Sequence, residues 1–304
     1  MAYHEMGCIG LESVLAAGFE VPLVVTHADD PKEERWFRSV SAIAGAAGVP
    51  VLVLDDPNNE EHIARIAGAK PDVLFSFYFR KMISPRILEL AKDGAFNLHG
   101  SLLPKYRGRA PINWVLVNGE SETGVTLHVM DAKPDHGDIV GQARVAIERD
   151  DTALTLSRKC GTAAKQVLDA ALPLIRERRA PRQVQDHSRS SYFGGRKPDD
   201  GRIVWSWPAE RVRNLVRAVT KPWPGAFTAA RGRKMIVWSV SVATGGGGPA
   251  GTLVPAAGGL AIQTGEGLVL PGDVEVQGSA TVRWADAVRD LELGPGDRLG
   301  EETA

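Results

Sequence analysis

The feature that most constrains the fold of this chain is the alternation of short apolar runs with helical patterns along its first half. The runs are VPLVVTH, VPVLVLDD, DVLFSFYF and AFNLHG, which are rich in apolar and β-branched residues. Between them lie EERWFRSVSAIAGAAG, EEHIARIAGAK and PRILELAKDG, which consist largely of helix-forming residues. This order predicts βαβ units and an α/β fold with a Rossmann-like, mostly parallel sheet.

After the last of these runs the pattern changes, and we expect the chain to divide into two domains. Two more strand-like runs, TGVTLHVM and DIVGQARVAI, and one long amphipathic helical pattern complete a first domain at residues 1–180. Residues 181–202 are polar, rich in Gly and without periodicity, which is typical of a linker. From residue 203 to 304, short strand-like runs between Gly-rich turns predict a small C-terminal β-barrel of the OB-like type.

Charge, cysteine content and hydropathy narrow the classes of function. Lys and Arg number 36 against 37 Asp and Glu, so the chain has no general bias toward nucleic acid or anionic membrane. Cys8 and Cys160 have neither metal-ligand spacing nor the number needed for a disulfide framework. No run approaches the roughly 18 apolar residues of a membrane span, and the N-terminus lacks a signal pattern. We therefore expect a cytoplasmic protein with no metal, no membrane insertion and no nucleic-acid partner.

One segment, FNLHGSLLPKYRGRAP at residues 96–111, delivers polar side chains to the end of an apolar run. Side chains alternate between faces in an extended chain, so Asn97 and His99 point the same way where the strand meets a loop. Attack of an amine on a carbonyl carbon requires a donor for the developing oxyanion and a group that moves the amine proton. Asn97 and His99 are candidates for these two roles; the alternative is that both are hydrogen-bonded turn residues.

A third group is needed to hold the charge and tautomer of such a histidine, and the segment MDAKPDHGDIV is its expected source. This segment follows the TGVTLHVM strand and contains Asp131, Asp135 and Asp138. Function concentrates at the carboxyl ends of strands in folds of this kind, which favours a catalytic carboxylate here. Asp beside Gly is also ordinary turn chemistry, so spacing alone leaves both interpretations open.

Resemblance to a known family adds to this interpretation. NLHGSLLPKYRG, together with the later Asp of MDAKPDHGDIV, resembles the signature of the folate-dependent formyltransferases. PWPGAF, in the second domain, is similar to the two-domain members of that family. AYHEMGCIGLESVLAAG, FSFYFRKMI and VRAVTKPWPGAF extend the resemblance along about residues 2–300. On these segments the chain is identified as a member of the family.

The resemblance implies transfer of a formyl group from the co-substrate 10-formyltetrahydrofolate to a primary amine. It implies that Asn97 stabilises the tetrahedral intermediate, that His99 transfers protons, and that Asp135 holds His99 and favours its charged form. No metal is implied. The folate is expected along nine positions, of which those in the loop alternatively only shape a turn: Lys81, Met82, Ile83, Arg109, Asp131, Ala132, Lys133, Pro134 and Asp135.

The acceptor is also suggested by the resemblance. The family members that this chain most resembles formylate the 4-amino group of UDP-4-amino-4-deoxy-L-arabinose, in the lipid A modification that confers polymyxin resistance. Lys105, Arg107 and Arg109 supply charge for such a diphosphate, although a cluster of this size is usually only a solvated face.

Three alternatives stay open. They are a methionyl-tRNA formyltransferase, an N-formyltransferase for another nucleotide-linked amino sugar, and a non-catalytic binding protein. The balanced charge argues against the tRNA enzyme. The presence of all three catalytic candidates argues against a protein that only binds.

Two further expectations concern the ends of the chain. Members of the family begin with an apolar strand before the AYH turn, so we expect the natural chain to carry roughly five to ten more residues before Met1, the length of one strand. The decarboxylase domain that follows in the most similar members does not occur here, so a separate decarboxylase partner is expected.

Three other histidines receive no catalytic role from the sequence. His4 follows the expected first strand and either borders the acceptor site or caps a helix. His128 and His136 lie near the loop with the candidate carboxylates but lack the spacing of metal ligands.

Overall fold

The computed structural model describes residues 1–29, 31 and 35–300. The chain folds as two compact units. The first unit comprises residues 1–111, 121–147 and 157–195, and the second comprises residues 112–120, 148–156 and the chain from residue 196. The boundaries expected from the sequence, at residues 180 and 203, stay a prediction.

The first part of the chain alternates helices and strands in the order that its hydrophobic pattern predicts. The helices are α1 (His4–Ala16), α2 (Val40–Ala46), α3 (Glu60–Gly68), α4 (Pro85–Leu88), α5 (Pro111–Val117) and α6 (Ala153–Arg176). The strands are β1 (Val24–Thr26), β2 (Val51–Val53), β3 (Leu74–Phe77), β4 (Ala95–His99), β5 (Arg107–Gly108), β6 (Glu122–Val129), β7 (Ile139–Ala146) and β8 (Tyr192–Phe193).

The sheet of the first unit begins as a parallel sheet and continues as an antiparallel one. β1 pairs with β2 and β3 pairs with β4 in parallel register, whereas β6 is antiparallel to both β4 and β7. The start of the chain joins the two parallel pairs, because Ala2 donates its N–H to the Val25 carbonyl oxygen and forms a parallel bridge with Phe77. The predicted Rossmann-like sheet is confirmed, with β6 and β7 as its antiparallel extension.

Helix α2 is shorter than the run EERWFRSVSAIAGAAG predicts. Residues 33 and 34 of that run lie outside the described residues, and the helix begins only at Val40. Ser39 is the N-cap, and its hydroxyl accepts a hydrogen bond from the Ala42 N–H. The Arg38 N–H donates to a Glu5 carboxylate oxygen at 3.1 Å, which ties the residue before the cap to α1. Tertiary contacts therefore override helix propensity at this position.

Strands β4 and β6 lie at the centre of the core. Phe96 and Leu98 on β4 and Leu127 on β6 are almost completely buried. Burial of such side chains stabilises the fold by about 1.5–3 kcal/mol each. Asn97 and His99 project from the other face of β4, because side chains alternate along a strand. The core face thus anchors the strand that carries these two polar side chains.

The second unit consists mainly of antiparallel strands. Besides most of α5, it contains the helices α7 (Ala209–Val219) and α8 (Trp284–Asp290). Its strands are β9 (Ala226–Ala230), β10 (Arg233–Val237), β11 (Val240–Ala243), β12 (Leu253–Ala256), β13 (Gly259–Gln263), β14 (Leu268–Pro271), β15 (Asp273–Val276) and β16 (Thr281–Arg283). They form two four-stranded sheets, ordered β16-β15-β10-β9 and β11-β14-β13-β12. The prediction of a small C-terminal domain of antiparallel strands is confirmed.

Among the helices of the described residues, none is both long enough and apolar enough to cross a bilayer.

Candidate active site

Asn97 and His99 lie at the end of β4, and the pairing of this strand with β6 decides what faces them. Asn97 is directly opposite His128, and His99 is opposite Thr126. Opposed residues of antiparallel strands project to the same face of the sheet. His128 therefore joins Asn97 and His99 on one face, and its ring Nε2 lies 3.1 Å from Asn97 Nδ2.

Asp135 enters the same group from the loop between β6 and β7. Its φ is 54°, a left-handed conformation that Asp adopts more readily than most residues. Its Oδ1 lies 3.5 Å from Asn97 Nδ2, 3.5 Å from His99 Nδ1 and 3.4 Å from His128 Nε2. Its Oδ2 accepts a hydrogen bond from the Gly108 N–H at 2.8 Å. The structure thus brings the three residues predicted to be catalytic into one cluster.

The hydrogen bonds of His99 define which ring nitrogen faces Asp135. Its Nε2 lies 2.7 Å from the Tyr106 carbonyl oxygen. A carbonyl oxygen can only accept, so Nε2 carries a proton. Nδ1 is then the nitrogen that faces the carboxylate. His99 is only 6% exposed, so water does not compete for either contact.

Asp135 is ionised in this environment. Burial raises the pKa of its carboxyl group, but the His99 ring and the Gly108 hydrogen bond oppose burial, and the pKa of Asp135 lies well below its ordinary value of 3.8. The cluster therefore contains a fixed negative charge at neutral pH. Such a charge orients the N–H donors around it and supports proton transfer by a neighbouring imidazole.

The Gly108 contact depends on a short strand pairing. Gly108 lies in β5, which pairs in parallel with β8, and its φ is 97°. A Cβ at this position would lie 2.2 Å from the Phe193 carbonyl oxygen, a distance that no side chain tolerates. Both the conformation and the close approach require glycine. Its N–H consequently reaches the Asp135 carboxylate from a backbone position that β8 fixes.

A second set of contacts holds the main chain of the loop that carries Asp135. Gln185 Nε2 donates to the carbonyl oxygens of Asp135 at 3.0 Å and Gly137 at 2.7 Å. Arg107 Nη2 in turn donates to Gln185 Oε1 at 2.6 Å and to His187 Nδ1 at 2.8 Å. Arg107 is only 8% exposed, so the expectation that it offers charge to a diphosphate is wrong. Its guanidinium instead binds Gln185, which holds the main chain of the loop.

The positions predicted to contact a folate differ in exposure. Lys81 and Met82 follow β3, the strand beside β4, and both are exposed. Ile83 is 5% exposed and packs in the hydrophobic core, so only its main chain is available to a ligand. Arg109 is exposed immediately after Gly108.

The remaining predicted folate positions lie in the loop before Asp135. Asp131, Ala132, Lys133 and Pro134 are all exposed. Asp131 Oδ1 accepts a hydrogen bond from the Lys133 N–H at 2.7 Å, which is ordinary turn chemistry. Its Oδ2 lies 3.1 Å from His136 Nδ1, and the His136 ring stacks on His187. These contacts show turn shaping and leave the contribution of the side chains to folate binding as a prediction.

His4 lies apart from the cluster. Its ring packs against those of Trp36, Phe37 and Tyr78 at centroid distances of 4.6, 4.2 and 6.0 Å. Burial and the Arg80 charge lower the pKa of His4 to about 4, so the ring is neutral at physiological pH. It is the first residue of α1, whose N-terminus has no side-chain cap, and it borders a cavity of about 220 Å³ at the end of β1.

His128 is the functional candidate that the sequence does not reveal. Its contacts with Asn97 and Asp135 depend on the register between β4 and β6, which no local pattern encodes. Gln185 is missed for the same kind of reason, since it lies 50 residues after the loop that it holds. Within the described residues, no three His, Cys, Asp or Glu side chains are grouped so as to hold a metal ion.

An amide N–H donor beside an imidazole and a carboxylate, at the end of a strand of a Rossmann-like sheet, is suited to stabilise an oxyanion and move a proton during group transfer. Sequence profiles identify which chemical group the family transfers. The profile described as formyl transferase matches residues 17–172, and the profile of the formyl transferase C-terminal domain matches residues 196–291. The chain belongs to the formyl transferase family.

Solved structures of similar fold include several enzymes of this kind. WlaRD, a sugar 3N-formyltransferase solved with dTDP and 5-N-formyl-THF, is 21% identical with a TM-score of 0.68, over 92% of this chain and 97% of that chain. The N-formyltransferase of Helicobacter canadensis, in complex with folinic acid and dTDP-3-aminofucose, is 21% identical with a TM-score of 0.65, over 89% and 96%. Methionyl-tRNA formyltransferase of Clostridium thermocellum is 15% identical with a TM-score of 0.54, over 84% and 99%.

Proposed function

We propose that the protein transfers a formyl group from 10-formyltetrahydrofolate to the amine of a nucleotide-linked amino sugar. The observation that carries this proposal is the cluster in which the Asp135 carboxylate contacts both Asn97 and His99. Two of the similar folds are enzymes solved with a formylated folate and with a dTDP nucleotide or a dTDP-amino sugar, which supports the same substrate classes here.

Each residue of the cluster has a distinct task in this reaction. The amine nitrogen attacks the formyl carbon, and the bond between that carbon and N10 of the folate then breaks. Asn97 donates an N–H to the oxygen that becomes negative, which typically accelerates such a step by about 10²–10³-fold. The His99–Asp135 pair accepts the proton lost by the amine and returns it to N10, so that tetrahydrofolate leaves neutral at that nitrogen.

The folate is proposed to lie along the end of β3 and the Asp135 loop. Lys81 and Met82 are exposed there, and Ile83 contributes only main-chain groups. Arg109 and the exposed residues from Asp131 to Pro134 complete the proposed site. The exposure of these side chains and the position of the site next to β4 support this assignment, because a formyl donor must reach Asn97 and His99.

For the acceptor we propose UDP-4-amino-4-deoxy-L-arabinose, formylated at its 4-amino group in lipid A modification. The sequence resembles the formyltransferase domain of the polymyxin-resistance protein ArnA, which acts on this sugar. Lys105 and Arg109 are exposed near the cluster and offer charge to a diphosphate, whereas Arg107 does not. A decarboxylase that supplies the amino sugar would be a separate partner protein.

The test is a substrate panel with purified protein and 10-formyltetrahydrofolate, following release of tetrahydrofolate. We expect UDP-4-amino-4-deoxy-L-arabinose to exceed methionyl-tRNA in kcat/KM by at least about 100-fold, equivalent to roughly 2.7 kcal/mol. A preference for a dTDP-amino sugar would refute the acceptor but keep the reaction. Preference for methionyl-tRNA, with steep salt dependence, would replace the sugar class altogether. Folate binding without turnover of any acceptor would leave only a binding protein.

A matched pair of variants tests how the diphosphate is held. Lys105→Ala should raise KM for the UDP-sugar while leaving KM for the folate unchanged. Lys165→Ala, which removes an exposed lysine paired with Asp169 on α6, is the control for loss of one positive charge. Equal effects of the two substitutions would show that Lys105 acts only through net charge.

A further inference from the structure

His128 is buried against the proposed catalytic residues, yet the mechanism above gives it no task. It is 1% exposed, and its Nε2 lies 3.1 Å from Asn97 Nδ2 and 3.4 Å from Asp135 Oδ1. A polar side chain at this depth needs partners, and among the described residues these two lie on the Nε2 side.

The other ring nitrogen fixes the tautomer of His128. Nδ1 lies 2.7 Å from the Val129 carbonyl oxygen, which can only accept a hydrogen bond. Nδ1 therefore carries a proton. The amide end of Asn97 that lies 3.5 Å from the Asp135 carboxylate must be its nitrogen, and because this nitrogen is also 3.1 Å from Nε2, Nε2 accepts with a lone pair and its 3.4 Å contact with Asp135 is not a hydrogen bond. This lone pair is directed at the amide of Asn97.

The lone pair in turn fixes the orientation of the Asn97 amide. The end of the amide that faces His128 Nε2 and Asp135 Oδ1 meets two acceptors, so this end must be the nitrogen. The amide oxygen then points away from the carboxylate. The contact to His128 is the shorter of the two, at 3.1 Å against 3.5 Å.

We infer that His128 is a positioning residue for formyl transfer, which acts by holding the Asn97 amide in the orientation that presents its N–H groups. This inference rests on the proposed function, because Asn97 is the group through which His128 acts. Without the lone pair of His128, the amide is held by Asp135 alone and samples other orientations. Misplacement of a catalytic group by about 1 Å can cost up to about 100-fold in rate.

The first experiment compares two substitutions of His128. His128→Phe keeps a flat ring but removes both nitrogens, and it should lower kcat by about 10- to 100-fold with little change in KM for the folate. His128→Gln can place an acceptor oxygen near the position of Nε2, and it should restore kcat to within a few-fold of the wild type. Equal losses in both variants, or a loss confined to KM, would overturn the inference.

Thr123→Val is the matched control. Thr123 lies on the same strand, is 2% exposed, and its hydroxyl has no hydrogen-bond partner in the part of the chain that the structure describes. The substitution measures what a change of a buried polar side chain on β6 does to kcat by itself. We expect kcat to stay unchanged. A loss equal to that of His128→Phe would mean that kcat reports only disturbance of the strand.

A double-mutant cycle separates positioning from a general structural effect. In the Asn97→Ala background there is no amide to orient, so adding His128→Phe should lower the residual kcat by no more than about 2-fold. A full additional loss of 10-fold or more would show that His128 acts independently of Asn97 and would overturn the inference.

Nitrogen NMR of the histidine rings supplies a readout that needs no turnover. The ¹⁵N shifts of His128 in the wild-type protein should report a protonated Nδ1 and an unprotonated Nε2, and the Nε2 shift should move in Asn97→Ala. A proton on Nε2 would overturn the inference even in an active enzyme. If no acceptor is formylated, the proposed function fails while this spectrum still decides whether His128 holds Asn97.

Discussion

The loop between β6 and β7 carries two Asp–His contacts that differ in almost everything except residue type. At its start, Asp131 Oδ2 lies 3.1 Å from His136 Nδ1, and the two side chains are 42% and 31% exposed. Near its end, Asp135 Oδ1 lies 3.5 Å from His99 Nδ1, and these side chains are 11% and 7% exposed. The shorter contact is the one in solvent.

The comparison shows that distance alone does not mark a functional carboxylate. Asp131 has its turn hydrogen bond and one ring beside it, with water as an alternative partner. Asp135 has two rings, an amide and the Gly108 N–H, and little access to water. Charges in a buried group interact strongly because the screening by water is lost. The number of polar contacts around a buried carboxylate therefore distinguishes the two ends of the loop.

The largest expected effect is on stability at the buried end. Asp135→Asn removes the charge on which the surrounding donors converge, and loss of one partner of a buried ion pair typically costs about 3–5 kcal/mol. Urea denaturation at pH 7 measures the change in the free energy of unfolding. Because the folded pKa of Asp135 is depressed, its contribution is complete above about pH 4 and is lost as the pH falls toward the folded pKa. A difference from the wild type that persists unchanged in acid would contradict this account.

Activity should respond nearly as strongly at the same end. Asn97→Ala and His99→Ala should each lower kcat by about 10²–10³-fold, since each removes one donor or proton-transfer group. Far-UV circular dichroism and the thermal midpoint check that the fold is retained. Asp169→Asn, on the exposed surface of α6, is a control that should keep the wild-type rate. Turnover near that of the wild type in either cluster variant would exclude the mechanism.

His4 sharpens the comparison, because it is a half-buried imidazole that packs against aromatic rings and not against a carboxylate cluster. Its pKa is lowered from 6.5 to about 4, so the unfolded chain binds the proton more tightly. Stability should therefore fall as the pH decreases from 6.5 to about 4, by roughly 3 kcal/mol from this residue. Denaturation curves of His4→Phe across this range should lack that component. An unchanged slope would show that the pKa of His4 is the same in the folded and the unfolded chain.

The smallest effect is expected at the exposed end of the loop. Asp131→Asn should lower stability by less than about 1 kcal/mol, as is usual for ion pairs in solvent, and the difference should shrink in high salt. The same urea titrations measure it beside Asp135→Asn. Equal destabilisation by the two substitutions would break the distinction between the two ends.

Much of the fold follows from local pattern. The alternation of apolar runs and helical segments predicts the sheet, because each pattern has its own period and each element is long enough to show it. One predicted helix is wrong over residues 35–39, which lie outside α2 and include Arg38, whose N–H contacts Glu5. Such contacts join residues 33 positions apart and leave no local signal.

The site is predictable only in part for the same physical reason. Period-2 alternation is enough to put Asn97 and His99 on one face, but three aspartates in the following loop are equivalent by spacing. Family resemblance selects Asp135, and its left-handed φ shows how the chain turns this carboxylate inward. His128 depends on strand register, and the burial of Arg107 is a property of the fold that its neighbours in the sequence do not indicate.

The close approach at Gly108 sets a limit on engineering this protein. A library that varies residues 105–109 to change acceptor preference will include side chains at position 108, and any Cβ there collides with the Phe193 carbonyl oxygen. The main chain must then retreat, which withdraws the N–H from the Asp135 carboxylate. Such variants would lose turnover on every acceptor at once. A screen for a new acceptor would count them as inactive and would give no information on specificity. Diversity in this segment is useful only with codon 108 held constant.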